Sequence, residues 1–344
     1  MRSTFEFTDL MNDERYGPMI KQVSDQPVLY KIGLVKGAKV AVEERPIRAF
    51  VVYGLGGSAM PGTMLASLSS TFAKTPVIVS SGSHPPSWIG GQDLVALVSY
   101  SGKTQEVIRA LDLLTKKGVR PLVVASGGNL LQFAEEQGLS VLKLTAGMTP
   151  RMSLPEMFGV LAAIYHRVSD CEELSSETIS SAAERLTTFW RRISPEVKLE
   201  ENEAKKCAVM ISEGVLSVFA WGHLSVAALR LRNQLAENAK LPCVVHEVPE
   251  NLHNTVEGLS VFRGLKHIAL RSRNEPHDVS LQFNVLSSLL DLEHNFTFTG
   301  SVVYELMSAI MWADAVSLYA AALRNVDPRE IPTISRIRRA IEGG

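Results

Sequence analysis

Val95-Ala96-Leu97-Val98-Ser99-Tyr100-Ser101-Gly102-Lys103-Thr104 decides how this chain is read. An apolar run of strand type stops abruptly in hydroxyl side chains, one glycine and the start of a helix. Hydroxyl donors beside the unpaired backbone N–H groups of a helix N-terminus are suited to hold an anion. The same layout occurs upstream, where Ala49-Phe50-Val51-Val52-Tyr53 runs into Gly54-Leu55-Gly56-Gly57-Ser58. Two such loops, each leaving a strand, point to a ligand that carries a phosphate.

Outward from these loops the pattern repeats. Strands are expected over residues 49–53, 76–80, 93–99, 120–126 and 140–144, with helices over 60–70, 104–117 and 130–137. Val107, Ile108, Leu111 and Leu114 carry the helical period of the second of these helices, and Gly118 ends it. Apolar strands alternating with helices imply an α/β fold, a doubly wound parallel sheet covered on both faces. An apolar helix over 154–168 and a polar one over 172–193 follow. The layout then resumes, with strands over 208–211, 215–220, 243–247 and 266–270 and helices over 223–239, 283–291 and 301–324. The expected division is an N-terminal domain over 1–168 with a lead-in helix, a linking helix over 169–195 and a C-terminal domain over 196–344.

At 344 residues, 46% hydrophobic and 21% charged, the chain can bury a large core in two domains. A net charge of −1 argues against nucleic acid or a membrane surface as partner. Cys171, Cys207 and Cys243 are far apart and fit reduced thiols of a cytoplasmic protein. No Cys/His cluster has zinc-ligand spacing, and no metal is expected. The first residues, Met1-Arg2-Ser3-Thr4-Phe5-Glu6, open a segment with no apolar core of signal-peptide type. The apolar stretch over 301–323 carries Glu305 and Asp314 and reads as a core helix rather than a membrane span.

Two nucleotide-binding readings compete. Gly54-Leu55-Gly56-Gly57-Ser58-Ala59 fits G-x-G-x-x-A, but that motif expects a carboxylate near the end of the second strand. Ser80-Ser81-Gly82-Ser83-His84 offers none. Gly102-Lys103-Thr104 has the tail of a phosphate-binding P-loop, yet Leu97 stands where its first glycine belongs. Helix capping explains one hydroxyl at the 99–104 loop, not three.

The chain resembles the sugar isomerase (SIS) domain proteins, and within them the bifunctional phosphoglucose/phosphomannose isomerases. The matching stretches are Gly54–Ser58, Ser99–Thr104, Pro150-Arg151-Met152-Ser153-Leu154-Pro155, Asn233-Gln234-Leu235-Ala236-Glu237-Asn238-Ala239-Lys240, residues 249–258 and Val326-Asp327-Pro328. The resemblance implies two SIS-type domains and reversible isomerisation of glucose 6-phosphate and fructose 6-phosphate, with mannose 6-phosphate as a further substrate. It implies that Gly56, Gly57, Ser58, Ser99, Ser101 and Thr104 hold the phosphate. Glu237 would be the base, Arg151 would face the reacting carbons, and His253 would open the sugar ring from the partner subunit of a homodimer. Arg338 falls nearest the place of the family's ring-opening lysine, with Arg336 and Arg339 as rivals. Lys103 stands where the family usually has asparagine. No cofactor is implied.

The residue types suit that chemistry. One carboxylate in a dry site can move a proton between C2 and C1 through an enediol. A fixed cation stabilises the developing oxygen charge. A histidine, with an ordinary pKa of about 6.5, can exchange protons with ring oxygens. Arginine keeps the charge of a lysine but does not readily trade protons. Thr333 could help set rotation about C1–C2. Each residue also has an ordinary structural use: Glu237 as a helix-surface glutamate, His253 as a loop histidine, Arg151 as a helix flank. A rival function of another class is a non-catalytic sugar-phosphate sensor, which needs the phosphate loops but not Glu237.

Overall fold

Short apolar runs become strands, and the stretches between them become helices. The computed structural model describes residues 7–43, 45–212 and 214–342. Part of the opening segment read as having no apolar core of signal-peptide type, Glu44 in a charged run and the last two residues lie outside the described residues. A 3-10 turn (Phe7–Met11) is followed by α1 (Gly17–Ser24), α2 (Gln26–Lys39), β1 (Phe50–Tyr53), α3 (Met60–Phe72), β2 (Val77–Ser80) and β3 (Leu94–Val98). Then come α4 (Gln105–Lys116), β4 (Leu122–Ala125), α5 (Gly128–Glu136), β5 (Val141–Lys143), α6 (Leu154–Ser169) and α7 (Ser176–Ile193). The remainder runs α8 (Glu203–Ile211), β6 (Val215–Ala220), α9 (His223–Gln234), β7 (Cys243–Glu247), α10 (Thr255–Val261), β8 (Leu265–Ser272), α11 (His277–Leu290), β9 (His294–Phe298), α12 (Val302–Leu323) and α13 (Pro332–Glu342).

The chain divides into two compact units. The first comprises Asp25–Thr187 with Val302–Tyr304. Its sheet has the order β2-β1-β3-β4-β5 with every neighbouring pair parallel. β1 and β4 are buried at every position, as a sheet covered on both faces requires. Chain order reverses between β1 and β3, so the loops leaving these strands open the crevice where such sheets bind ligands. α4 packs through Val107, Ala110, Leu111 and Leu114, all buried. α2 and α6 pack backbone against backbone. A Cβ on Gly33 would lie 2.1 Å from the Glu156 carbonyl oxygen, so a side chain there would force the helices apart. The buried Glu156 carboxylate accepts from Lys36 Nζ at 2.6 Å and from the Thr145 N–H at 3.0 Å.

The second unit comprises Met1–Ser24, Thr188–Ser301 and Glu305–Gly344. Its parallel sheet has the order β7-β6-β8-β9. One face packs Phe219 and Ala269 against Val279, Phe283, Leu286 and Leu290 of α11. α12 is long and apolar enough to cross a membrane, but 94% of its most apolar window is buried within the protein. Of the segment expected to lead into the first domain, α2 belongs to the first unit, while residues 7–24 fall in this one. Tyr16 Oη donates to the Val326 carbonyl at 3.0 Å, and Phe7 meets Tyr319 edge-on at 5.3 Å.

Two local expectations are corrected. Residues 208–211, expected as a strand, form the end of α8. Asn202 Oδ1 accepts from the Ala204 and Lys205 N–H groups, both at 3.0 Å, and this cap starts a helix that buries Cys207, Ala208 and Ile211 on one side. β9 is not anticipated, because His294-Asn295-Phe296-Thr297-Phe298 is a short edge strand with only Phe296 and Phe298 buried.

Candidate active site

The loops after β1 and β3 lie at neighbouring carboxyl ends of the first unit's sheet. Gly56 takes a positive φ of 54° and opens a 3-10 turn (Gly56–Ser58) that feeds α3. Ser58 Oγ accepts from the Tyr100 N–H at 3.2 Å, which ties the two loops together. Thr104 stands just ahead of α4, and its Oγ1 lies 2.9 Å from Ser99 Oγ. Ser99 is buried, so its hydroxyl braces the loop from within. Ser101 is exposed, and its Oγ accepts from the Lys103 N–H at 3.3 Å. The Lys103 side chain is exposed.

Tyr100 anchors this loop to the β5 side of the sheet. Its Oη donates to the Thr145 carbonyl at 2.9 Å and accepts from the Met148 N–H at 2.8 Å. Burial holds its phenol above the ordinary pKa. Ser126 Oγ donates to the Tyr100 carbonyl at 2.7 Å. Gly102 (φ 63°) passes directly over the loop leading into α5. Arg151 is buried in a 3-10 turn (Pro150–Ser153) ahead of α6. The Gly56–Ser58 turn backs onto it: a Cβ on Gly57 would stand 3.4 Å from Arg151 Cα. The first unit thus gathers Gly56, Gly57, Ser58, Ser99, Ser101, Thr104 and Arg151 at one end of its sheet.

The second unit carries Glu237, His253 and Arg338. Glu237 is half-buried in a π-turn (Leu235–Ala239) that continues α9. The turn ends at Lys240 in the left-handed region, φ 55°. Lys240 Nζ donates to the carbonyls of Glu237 (2.6 Å), Asp327 (3.2 Å) and Glu330 (2.6 Å). Arg324 Nε donates to the Ala239 carbonyl at 3.1 Å. Single π-turns widen an α-helix and occur often at functional sites.

Buried polar bonds join α9 to α12. His223 Nε2 lies 2.9 Å from Glu305 Oε2, and Glu305 Oε1 accepts from the Arg273 N–H at 3.2 Å. Ser272 Oγ also donates to the Glu305 carboxylate. Burial pushes this carboxyl up, but bonds from His223, Ser272 and Asn274 outweigh it and hold the pKa below its ordinary value. Asp314 Oδ1 accepts from Arg230 Nε and Gln234 Nε2, both at 2.7 Å. Asn238 Nδ2 donates to Ser317 Oγ at 2.8 Å.

His253 is exposed at the end of a 3-10 turn (Glu250–His253) after β7. The next residue, Asn254, accepts from the Thr255 N–H at 2.6 Å and starts α10. Arg338, Arg336, Arg339 and Thr333 are all exposed on α13. The sequence reading gives no role to Asn238, Ser317 or His223. Only Asp314 and Glu305 leave a signal, as carboxylates inside an otherwise apolar helix. Among the described residues, no group of three or more His, Cys, Asp or Glu side chains could hold a metal ion.

Comparison with known proteins bears on the fold and the family. Residues 200–341 match the family model for the bacterial phospho-glucose isomerase C-terminal SIS domain. A bifunctional phosphoglucose/phosphomannose isomerase of Aeropyrum pernix is 30% identical, covering 91% of this chain and 93% of its own. Its namesake in Caldicellulosiruptor bescii is 29% identical, covering 91% and 94%. The C-terminal domain of glucosamine-fructose-6-phosphate aminotransferase from Francisella tularensis shares the fold, with a TM-score of 0.70 at 14% identity over 90% of this chain and 97% of that one. With kinship running nearly end to end at the level of the Aeropyrum protein, the chain belongs to the bifunctional phosphoglucose/phosphomannose isomerase family.

Proposed function

We propose that this protein interconverts glucose 6-phosphate, fructose 6-phosphate and mannose 6-phosphate by aldose–ketose isomerisation. The observation that carries the reading is the bond from the Tyr100 N–H to Ser58 Oγ, which draws the two hydroxyl-bearing loops to one crevice in a chain of this family. Gly56, Gly57, Ser58, Ser101 and Thr104 bind the phosphate, and Ser99 braces Thr104. Phosphate binding fixes the substrate while its other end reacts.

Glu237 takes the proton from C2 of the open-chain aldose and returns it to C1, passing through a cis-enediol; the reverse transfer forms the aldose. Return to C2 from either face yields the glucose or the mannose epimer. Arg151 stabilises the negative charge that grows on the substrate oxygen. His253 opens the sugar ring. Its exposure suits donation to the partner subunit of a homodimer. Arg338 supplies the positive charge for that step. The reaction calls on no cofactor or metal. The partners are the sugar phosphate and a second copy, not nucleic acid or membrane. The three free thiols suit the reducing cytoplasm.

The test is a coupled assay of purified protein with glucose 6-phosphate and mannose 6-phosphate, with and without chelator. Turnover of both, unchanged by chelation, is expected. Tight binding of fructose 6-phosphate with no turnover would replace the enzyme with the sensor.

A further inference from the structure

Glu237 does not sit on a regular helix, and the turn that carries it is fastened by side chains from outside. The π-turn continues the end of α9 with a wider turn, a form that is rare and occurs mostly as a single turn. Its geometry depends on neighbours. α12 supplies them along its length: Glu305 meets His223 at the start of α9, Asp314 meets Arg230 and, at the end of the helix, Gln234, and Ser317 meets Asn238 in the π-turn itself.

The last of these contacts is the informative one. Asn238 is the residue after Glu237 and is fully buried, as is Ser317. Ser317 Oγ donates to the Asp314 carbonyl at 2.7 Å, which leaves the oxygen's lone pairs facing Asn238. The hydroxyl is thereby fixed as an acceptor for the Asn238 amide at 2.8 Å. The Glu237 carbonyl itself accepts from Lys240 Nζ at 2.6 Å. The residue is clamped at its carbonyl and at its neighbour's side chain.

We propose that the Asn238–Ser317 pair is a positioning device that aims the Glu237 carboxylate at the substrate carbons. This inference rests on the reading of Glu237 as the base. Neither residue touches substrate; both act through the shape of the π-turn. A base displaced by about 1 Å can lose on the order of 100-fold in rate while binding is kept.

The experiment compares Ser317→Ala, Ser317→Thr and Glu237→Gln in steady-state assays with fructose 6-phosphate, with thermal melting of each. Ser317→Ala is expected to lower kcat by about 10-fold or more, leaving KM within about twofold. Ser317→Thr, which keeps the hydroxyl, is expected to restore most of the turnover. Unchanged kcat in Ser317→Ala, or a rise in KM alone, overturns the proposal. If Ser317→Ala does not fold, Asn238→Ala removes the same bond from the other side, and wild-type turnover there overturns it equally. Glu237→Gln separates the two ideas. If it abolishes turnover while Ser317→Ala does not, only the positioning role fails. If it retains full turnover, the assignment of the base fails and the positioning role with it.

Discussion

Gly102 and Gly128 cross at a distance that leaves no room for a side chain on either. A Cβ on Gly102 would lie 1.8 Å from the Gly127 carbonyl oxygen, and one on Gly128 would lie 2.4 Å from that of Ser101. Both residues have positive φ, 63° and 78°. Gly102→Ala therefore adds a clash to a strained backbone, at about 1–3 kcal/mol for the backbone alone. The loop carrying Ser101 and Thr104 has to move. A rise in KM for fructose 6-phosphate of at least about tenfold is expected, with a lower melting temperature. An alanine variant with wild-type KM would show that this crossing does not set the phosphate loop.

Ser101 and Ser99 should separate cleanly in kinetics. Ser101 is exposed and Ser99 is buried against Thr104. A hydrogen bond to a charged ligand contributes about 1.5–3 kcal/mol, so Ser101→Ala should raise KM by at least about tenfold without altering the melt. Ser99→Ala should lower stability first, by about 1–3 kcal/mol, because Thr104 loses its buried partner. Urea titration and substrate saturation curves distinguish the two patterns.

Glu305 is a buried carboxylate whose partners are all on the protein. Removing it in Glu305→Ala leaves His223, Ser272 and the Arg273 N–H facing a hole, and breaking such a pair costs about 3–5 kcal/mol. Its folded pKa lies below the ordinary carboxyl value of 4.5. The stabilisation is therefore complete above that value and is lost as pH falls through the folded pKa. Urea unfolding from pH 7 to pH 3 should show a loss in the wild type that Glu305→Ala lacks.

His246 and His267 also lose stabilisation as pH falls, because they are held neutral rather than charged. Burial holds both below the ordinary value of 6.5, and the neighbouring His267 lowers His246 further. Phe219 stacks on His246 with ring centres 4.8 Å apart. Both histidines stay neutral in the folded state at pH values where the unfolded chain takes up protons. Their contribution to stability is full above about pH 6.5 and declines below it, by up to about 1.4 kcal/mol per proton and pH unit. Urea unfolding at pH 7.5 and 5.5 checks this. The loss should shrink in the His246→Gln/His267→Gln protein.

The strands that bury both faces were the easiest to read. Phe50–Tyr53 and Leu94–Val98 are continuous apolar runs that lead straight into glycine or serine. The helix over 203–211 and the edge strand β9 were harder. Cys207-Ala208-Val209-Met210-Ile211 has no period of its own, and the cap that makes it helical lies five residues upstream at Asn202. The hydroxyl loops of the site were legible because their spacing is local. The support of Glu237 was not. Ser317 is 79 residues from Asn238, and a buried serine in an apolar helix carries no local mark of the partner it will meet.

The composition of the second unit has a consequence for synthesis on the ribosome. The segment Asp25–Thr187 holds every strand of the first sheet and emerges early, so it can fold while translation continues. Phe7 and Tyr16 emerge earlier still, yet their partners Tyr319 and Val326 lie some three hundred positions downstream. The nascent chain must therefore carry these apolar side chains uncovered until α12 has left the exit tunnel. Chaperone engagement is expected to fall on the amino-terminal segment, and truncation ahead of α12 should yield a folded first sheet beside an aggregation-prone remainder.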